Sequence, residues 1–253
     1  ETSETLYDVE IEVYPELSDI CALNIIHGHL KKLEGYGDYR MAFATTPTDA
    51  NVEDLTKITN IEEDRHISSG RIVLHVNTDI LGAFAAKVAC TPYYQDPAYK
   101  PYKSITKSDI IVYGRDELEI LLDAGLVVDW TVFDPTLEME VVEPVYARAT
   151  NYTLDDTPAD AYLHQRLNAD HQSRVTDAIA RSYIKQNSTE TSRQIIEHRC
   201  RSYLEDEVTA SKLTNFYYEL YPDRGDPYGL IVKMGLQPIK SIHTIEINRT
   251  IQS

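Results

Sequence analysis

The apolar residues of this chain change their period along its length, and that change constrains the fold class. At the start, Tyr7, Val9, Ile11 and Val13 alternate with Asp8, Glu10 and Glu12. This is the period-2 pattern of a strand with one buried face. Pro15 ends it. Ser18 or Asp19 then caps a helix whose apolar stripe is Ile20, Leu23, Ile26, Leu30 and Leu33, the 3.6-residue period. Gly35 and Gly37 close that helix. Tyr39, Met41 and Phe43 return to alternation.

Residues 46–69 are polar and irregular, with one helical turn expected around Val52 to Ile58. Arg71 to Val76 reads as a third strand, Ile80 to Ala89 as a second helix capped by Thr78 or Asp79, and Asp109 to Tyr113 as a fourth strand. The order β-α-β-β-α-β is that of a ferredoxin-like split unit. A short helix over Asp116 to Asp123, closed by Gly125, follows. Two strands, Leu126 to Phe133 and Leu137 to Tyr146, are separated by Asp134-Pro135, and Pro144 marks an edge or bulge.

From Asp156 the helical period takes over. Thr157-Pro158 reads as a cap followed by Pro at the first helical position. Three helices are expected: one to about Gln186, one from Thr191 to Val208, and one from Ser211 to Tyr221. Leu230 to Met234 and Ser241 to Ile251 read as closing strands. The expected fold is therefore α+β. An N-terminal sheet subdomain of ferredoxin-like order, extended by further strands, covers 1–150. A helical subdomain with C-terminal strands covers 151–253, and the two can equally form one continuous domain.

The chain has 253 residues, and its 42% hydrophobic content supports a real core rather than a disordered polymer. Basic residues number 24 against 41 acidic, a net charge of −17. A polyanion is repelled at long range by such a chain, so sequence-independent nucleic-acid binding is not expected. No run approaches the roughly 20 apolar residues of a membrane span. Cys21, Cys90 and Cys200 are far apart and odd in number, which argues against a disulfide framework or thiolate metal site and for three buried small hydrophobes. The chain begins at Glu1 rather than Met, which leaves open a leader removed before it.

Motifs that carry chemistry are missing. The sequence has no GxSxG, no P-loop and no GxGxxG after a strand. His27 and His29 point to different sides of their helix, and His164 and His171 lie seven apart rather than at the three- or four-residue spacing of helical metal pairs. Adjacent acids such as Glu62-Glu63-Asp64 and Glu205-Asp206-Glu207 fit solvated faces. No cofactor, metal or catalytic residue is expected. Arg224-Gly225-Asp226 is an integrin-type tripeptide between Pro222 and Pro227, but Gly-Asp-Pro is good turn chemistry in its own right. Sequons stand at Asn151, Asn187 and Asn248.

Aromatic usage carries the partner signal. The chain has 18 Tyr against 4 Phe and 1 Trp, and tyrosine combines a broad apolar ring with a hydrogen-bonding tip suited to interfaces. Tyr93, Tyr94, Tyr99 and Tyr102 sit among Pro92, Pro97 and Pro101 with Lys100, Lys103 and Lys107, a proline-stiffened and locally basic segment. Either this segment docks on a partner or its tyrosines fold back on their own domain. Phe216, Tyr217, Tyr218 and Tyr221 form the second cluster. The expectation is a non-enzymatic structural protein that oligomerises through these segments, in the form of a virion component such as a phage tail, neck or baseplate subunit. Its place is then the virion, and otherwise the cytoplasm. The alternatives are an enzyme whose site assembles only in three dimensions, and a secreted adhesion module using Arg224 to Asp226.

Overall fold

The computed structural model describes residues 10–48, 50–103, 105–151, 161–183, 190–222 and 230–239. Seven strands and six helices lie within them. β1 (Ile11–Tyr14), β2 (Met41–Thr45) and β3 (Ile72–His75) form a parallel sheet in the order β1-β2-β3. Val127 adds a parallel rung beside His75, with Val127 N–H donating to Leu74 O at 2.9 Å and Val76 N–H to Val127 O at 3.0 Å.

The mixture of helix and strand is as expected, but the ferredoxin-like order is corrected. That order needs antiparallel neighbours, whereas these three strands run the same way. The connection over residues 46–71 is long and carries α2 (Val52–Lys57). A connection of that length allows the crossover that parallel strands require. The expected strand at Asp109 to Tyr113 is absent. A 3-10 turn at Lys107–Asp109 leads there into irregular chain.

α1 (Ile20–Gly35) starts where expected, because the Asp19 carboxylate accepts from the N–H groups of Cys21 and Ala22. Tyr36 caps its end and Gly37 takes φ +78°, a left-handed conformation natural to glycine. β2 and β3 are buried at every position, the signature of a parallel sheet covered on both faces. Ala42, Ala44, Ile72 and Leu74 pack with Leu23 and Leu30 of α1, Leu55 of α2, and Leu121 and Leu122 of α4 (Arg115–Asp123). Met41, Phe43 and Val73 pack on the other face with Leu81, Phe84, Ala85 and Val88 of α3 (Leu81–Cys90).

The two strands expected on either side of Asp134-Pro135 are present as β4 (Asp129–Asp134) and β5 (Met139–Pro144), and they pair antiparallel as a hairpin. The chain then turns into α5 (Leu163–Arg181) and α6 (Glu190–Thr209), matching two of the three expected helices. The third is corrected. Leu213–Pro222 is a strand, β6, paired antiparallel with β7 (Leu230–Pro238). α6 ends at Thr209, and Ser211 just beyond it takes φ +56°, which no helix continues through. Beyond it Phe216, Tyr218 and Leu220 fall on one face at period 2, and aromatics favour a strand's pleated surface. Ile196, Cys200 and Leu204 of α6 pack against that face with Met234 and Leu236 of β7. Cys200 is buried as expected, but Cys21 and Cys90 are exposed. The expected strand at Ser241 to Ile251, the Arg224-Gly225-Asp226 turn, and Asn187 and Asn248 lie outside the described residues.

Candidate assembly surfaces

The segment after α3 is held against its own chain at three places. Tyr93 stacks on His171 of α5 with ring centroids 3.8 Å apart, and meets Tyr94 edge-on at 5.3 Å. Its hydroxyl donates to Glu207 Oε2 at 2.8 Å and accepts from Lys212 Nζ at 3.1 Å. Lys212 also donates to Glu207 Oε1 at 2.8 Å and lies over the rings of Tyr93 and Tyr94. Burial pushes the Glu207 carboxyl up, but hydrogen bonds from Lys212, Gln172 and Tyr93 outweigh it and hold it below the usual range.

Tyr99 takes φ +54° and donates its N–H to Pro144 O at 2.8 Å. Its ring meets Tyr146 and Trp130 edge-on, at 5.5 and 6.3 Å. Tyr102 is buried, and its hydroxyl donates to Asp129 Oδ1 at 2.9 Å. Asp129 Oδ2 accepts from Asn77 Nδ2 at 2.9 Å and lies 3.2 Å from His75 Nε2. Burial alone raises the Asp129 carboxyl, yet His75, Asn77 and Tyr102 together hold it below its ordinary value. The same burial, with Asp129 beside it, pushes the Tyr102 hydroxyl far up. Lys100 reaches Gln95 Oε1 at 3.2 Å, and Lys103 is exposed. Lys87, which the sequence did not single out, fastens the segment by donating to Pro101 O at 2.9 Å over the Tyr102 ring.

The second tyrosine cluster divides by strand alternation. Tyr218 is buried and Phe216 half-buried on the face toward α6. Tyr217 and Tyr221 stand exposed on the other face, their hydroxyls 3.5 Å apart. Lys233 lies over the Tyr217 ring at 5.8 Å. At the far end of the ribbon Tyr221, Leu230, Ile231 and Val232 are all exposed, and strand alternation puts apolar side chains on both of its faces.

One buried cluster gave no sequence signal. Arg71, fully buried just before β3, donates to Asp170 through both terminal nitrogens and to Glu34 Oε1 at 2.9 Å. Arg166 donates to the same Glu34 oxygen at 2.6 Å. Its members come from α1, the start of β3 and α5, and only the fold brings them together. Among the described residues no three His, Cys, Asp or Glu side chains converge as a metal site, and no helix is long and apolar enough to cross a membrane.

No family model matches the sequence, and no curated protein matches it. Solved structures do match. The chain is similar to a chain of the anti-feeding prophage baseplate in its contracted state, with a TM-score of 0.73 and 14% identity over 98% of this chain and 74% of that one. It is similar to a chain of the sheath complex of an extracellular contractile injection system, also contracted, with a TM-score of 0.69 and 13% identity over 98% and 72%. The sheath tail protein of Listeria innocua gives 0.66 and 14% over 92% of this chain and 54% of that one. Against the six-fold symmetrised baseplate the chain spans 66% of its counterpart. The likeness is one of fold.

Proposed function

We propose that this chain is a structural, non-enzymatic subunit of a contractile tail or injection-system sheath, built into a particle by contact with neighbouring subunits. The observation that carries the reading is the fold likeness, which runs over 92% of this chain or more in sheath and baseplate structures. The β6–β7 ribbon supports it. A two-stranded ribbon is marginal by itself. Its outer edges are unpaired among the described residues and its end exposes Tyr221, Leu230, Ile231 and Val232. An open edge of this kind is a template for a strand from another chain.

In this reading Tyr217 and Tyr221 are interface residues, with Phe216 and Tyr218 anchoring the ribbon behind them. Tyr93, Tyr94, Tyr99 and Tyr102, with Lys100 and Lys103, form a stiffened shoulder whose exposed parts meet neighbours. The chain divides near residue 150 into the sheet unit and the unit of α5, α6 and the ribbon, and its place is the particle. Sedimentation velocity over a wide concentration range tests the reading. It predicts multimers whose share rises with concentration, and a monomer throughout contradicts it.

A further inference from the structure

We propose that a buried polar network around Glu207 is a positioning device, which fixes the β6–β7 ribbon against the tyrosine segment after α3. The proposal rests on the assembly reading above, in which those two parts meet neighbouring subunits, and names what holds them in one relation.

Glu207 lies near the end of α6 and is buried. Its carboxylate accepts from three separate parts of the chain. Lys212 Nζ, at the foot of the ribbon, reaches Oε1 at 2.8 Å. The Tyr93 hydroxyl of the tyrosine segment and Gln172 Nε2 of α5 both reach Oε2 at 2.8 Å. The bonds then close into a ring. Gln172 Nε2 also donates to Asn168 Oδ1 at 3.1 Å, and Asn168 Nδ2 donates to Lys212 O at 2.7 Å. The Tyr203 hydroxyl donates to Gln172 Oε1 at 2.6 Å. Asn168 and Gln172 are buried with Glu207.

Lys212 is held by its backbone and its side chain at once. Its N–H donates to Glu207 O at 3.0 Å, its carbonyl accepts from Asn168, and its ammonium bonds both Glu207 and Tyr93. It follows the left-handed Ser211 and directly precedes β6. The direction in which the ribbon sets out is therefore fixed at this residue, and the same ammonium grips the tyrosine segment.

The rest of the ribbon's hold on α6 is apolar, with Leu213, Tyr218 and Met234 against Ile196, Cys200 and Leu204. Apolar burial is non-directional, whereas a hydrogen bond weakens steeply off its line. A satisfied buried network rigidifies one arrangement. Replacing all its members by apolar groups of similar shape is often neutral or stabilising. The network therefore contributes geometry more than stability, and that difference can be measured.

The variant Asn168→Leu, Gln172→Met, Glu207→Leu, Lys212→Met removes the network. The hydroxyls of Tyr93 and Tyr203 are half-buried and keep access to water. Spin labels on Lys103→Cys and Ile231→Cys, both exposed, report the distance between the two parts once Cys21→Ser and Cys90→Ser remove the exposed thiols. The chain is measured dilute, where sedimentation shows a monomer. With the network intact one narrow distance is expected. The apolar variant is expected to melt no lower, yet to give a broad distribution. Its association is expected to weaken about 10-fold when about one molecule in ten presents both parts correctly. A milder variant, Tyr93→Phe with Lys212→Met, cuts the bonds that these two side chains make and is expected to broaden the distance at unchanged circular dichroism, so the decision does not depend on the fourfold change folding. A narrow distance in either folded variant overturns the proposal and leaves the assembly reading intact. A broad distance with association at full strength also overturns it. A broad distance in the variants of a chain that never associates supports the positioning role and overturns the assembly reading instead.

Discussion

Arg71 and Asp170 face each other as a two-pronged ion pair, Nη1 to Oδ2 at 3.0 Å and Nη2 to Oδ1 at 3.1 Å. They are 99 residues apart in sequence and both are buried. Arg71 also donates to Arg40 O at 3.1 Å and to Glu34. The pair therefore ties the parallel sheet to α5, whose Ile179 and Ala180 pack against the apolar cluster of α6 and the ribbon. A planar guanidinium suits this geometry as a lysine would not.

Removing one partner leaves the other charged and buried. Arg71 keeps Glu34, so Asp170→Ala is expected to cost somewhat less than the about 3–5 kcal/mol of an uncompensated buried charge. Arg71→Met with Asp170→Leu is expected to cost less than the two single changes added together, since no lone charge remains of the pair. Urea unfolding midpoints of the three variants check this, and an unshifted midpoint for Asp170→Ala contradicts it.

Tyr102→Phe removes a hydroxyl that donates to the buried Asp129. Hydrogen bonds to charged groups contribute about 1.5–3 kcal/mol, so a loss of that order is expected, with the dependence on urea unchanged. Stability equal to that of the unaltered chain shows that this bond does not hold the segment down.

Acid weakens the fold in a defined direction. The Glu34 carboxyl is raised by burial but lowered more by Arg71, Lys31 and Arg166, so it lies far below the usual range. Asp129 and Glu207 are lowered too. A carboxylate depressed in the folded state contributes stability that is complete above its unfolded value, near 4. That stability is lost as pH falls toward the folded value. Thermal melts are therefore expected to drop steadily below about pH 5, and Glu34→Gln to flatten the drop. A melt that is level or rises on acidification contradicts this assignment.

The ribbon is expected to matter for assembly more than for folding. Ile231→Lys with Val232→Lys changes exposed side chains at its end. Exposed substitutions away from special features usually shift stability by about 0.5 kcal/mol or less. Sedimentation is expected to show lost multimers at an unchanged melting temperature. Multimers that persist would place the contacts elsewhere.

Local signals were readable in the sequence and non-local ones were not. The Asp19 cap, the stop at Gly35 to Gly37, the Asp134-Pro135 hairpin and the α4 stop at Gly125 are each set by a few adjacent residues, and each stands where the pattern puts it. Strand direction is a relation between distant segments, so β1 to β3 alternate or run apolar without revealing that they are parallel. The β6 segment is ambiguous in sequence because four aromatics in six positions fit a crowded helix as well as a strand. The break at Ser211 comes from a left-handed backbone that serine does not advertise. The tyrosine segment after α3 offered two readings. Its backward anchors, Glu207, Lys212 and Asp129, come from other parts of the chain and leave no trace in the segment itself.

Electron microscopy of the purified chain at high concentration tests the central claim most directly. The account predicts rings or tubes of repeating subunits, and their loss in the Ile231→Lys, Val232→Lys protein. Separate particles of single-chain size at every concentration contradict it.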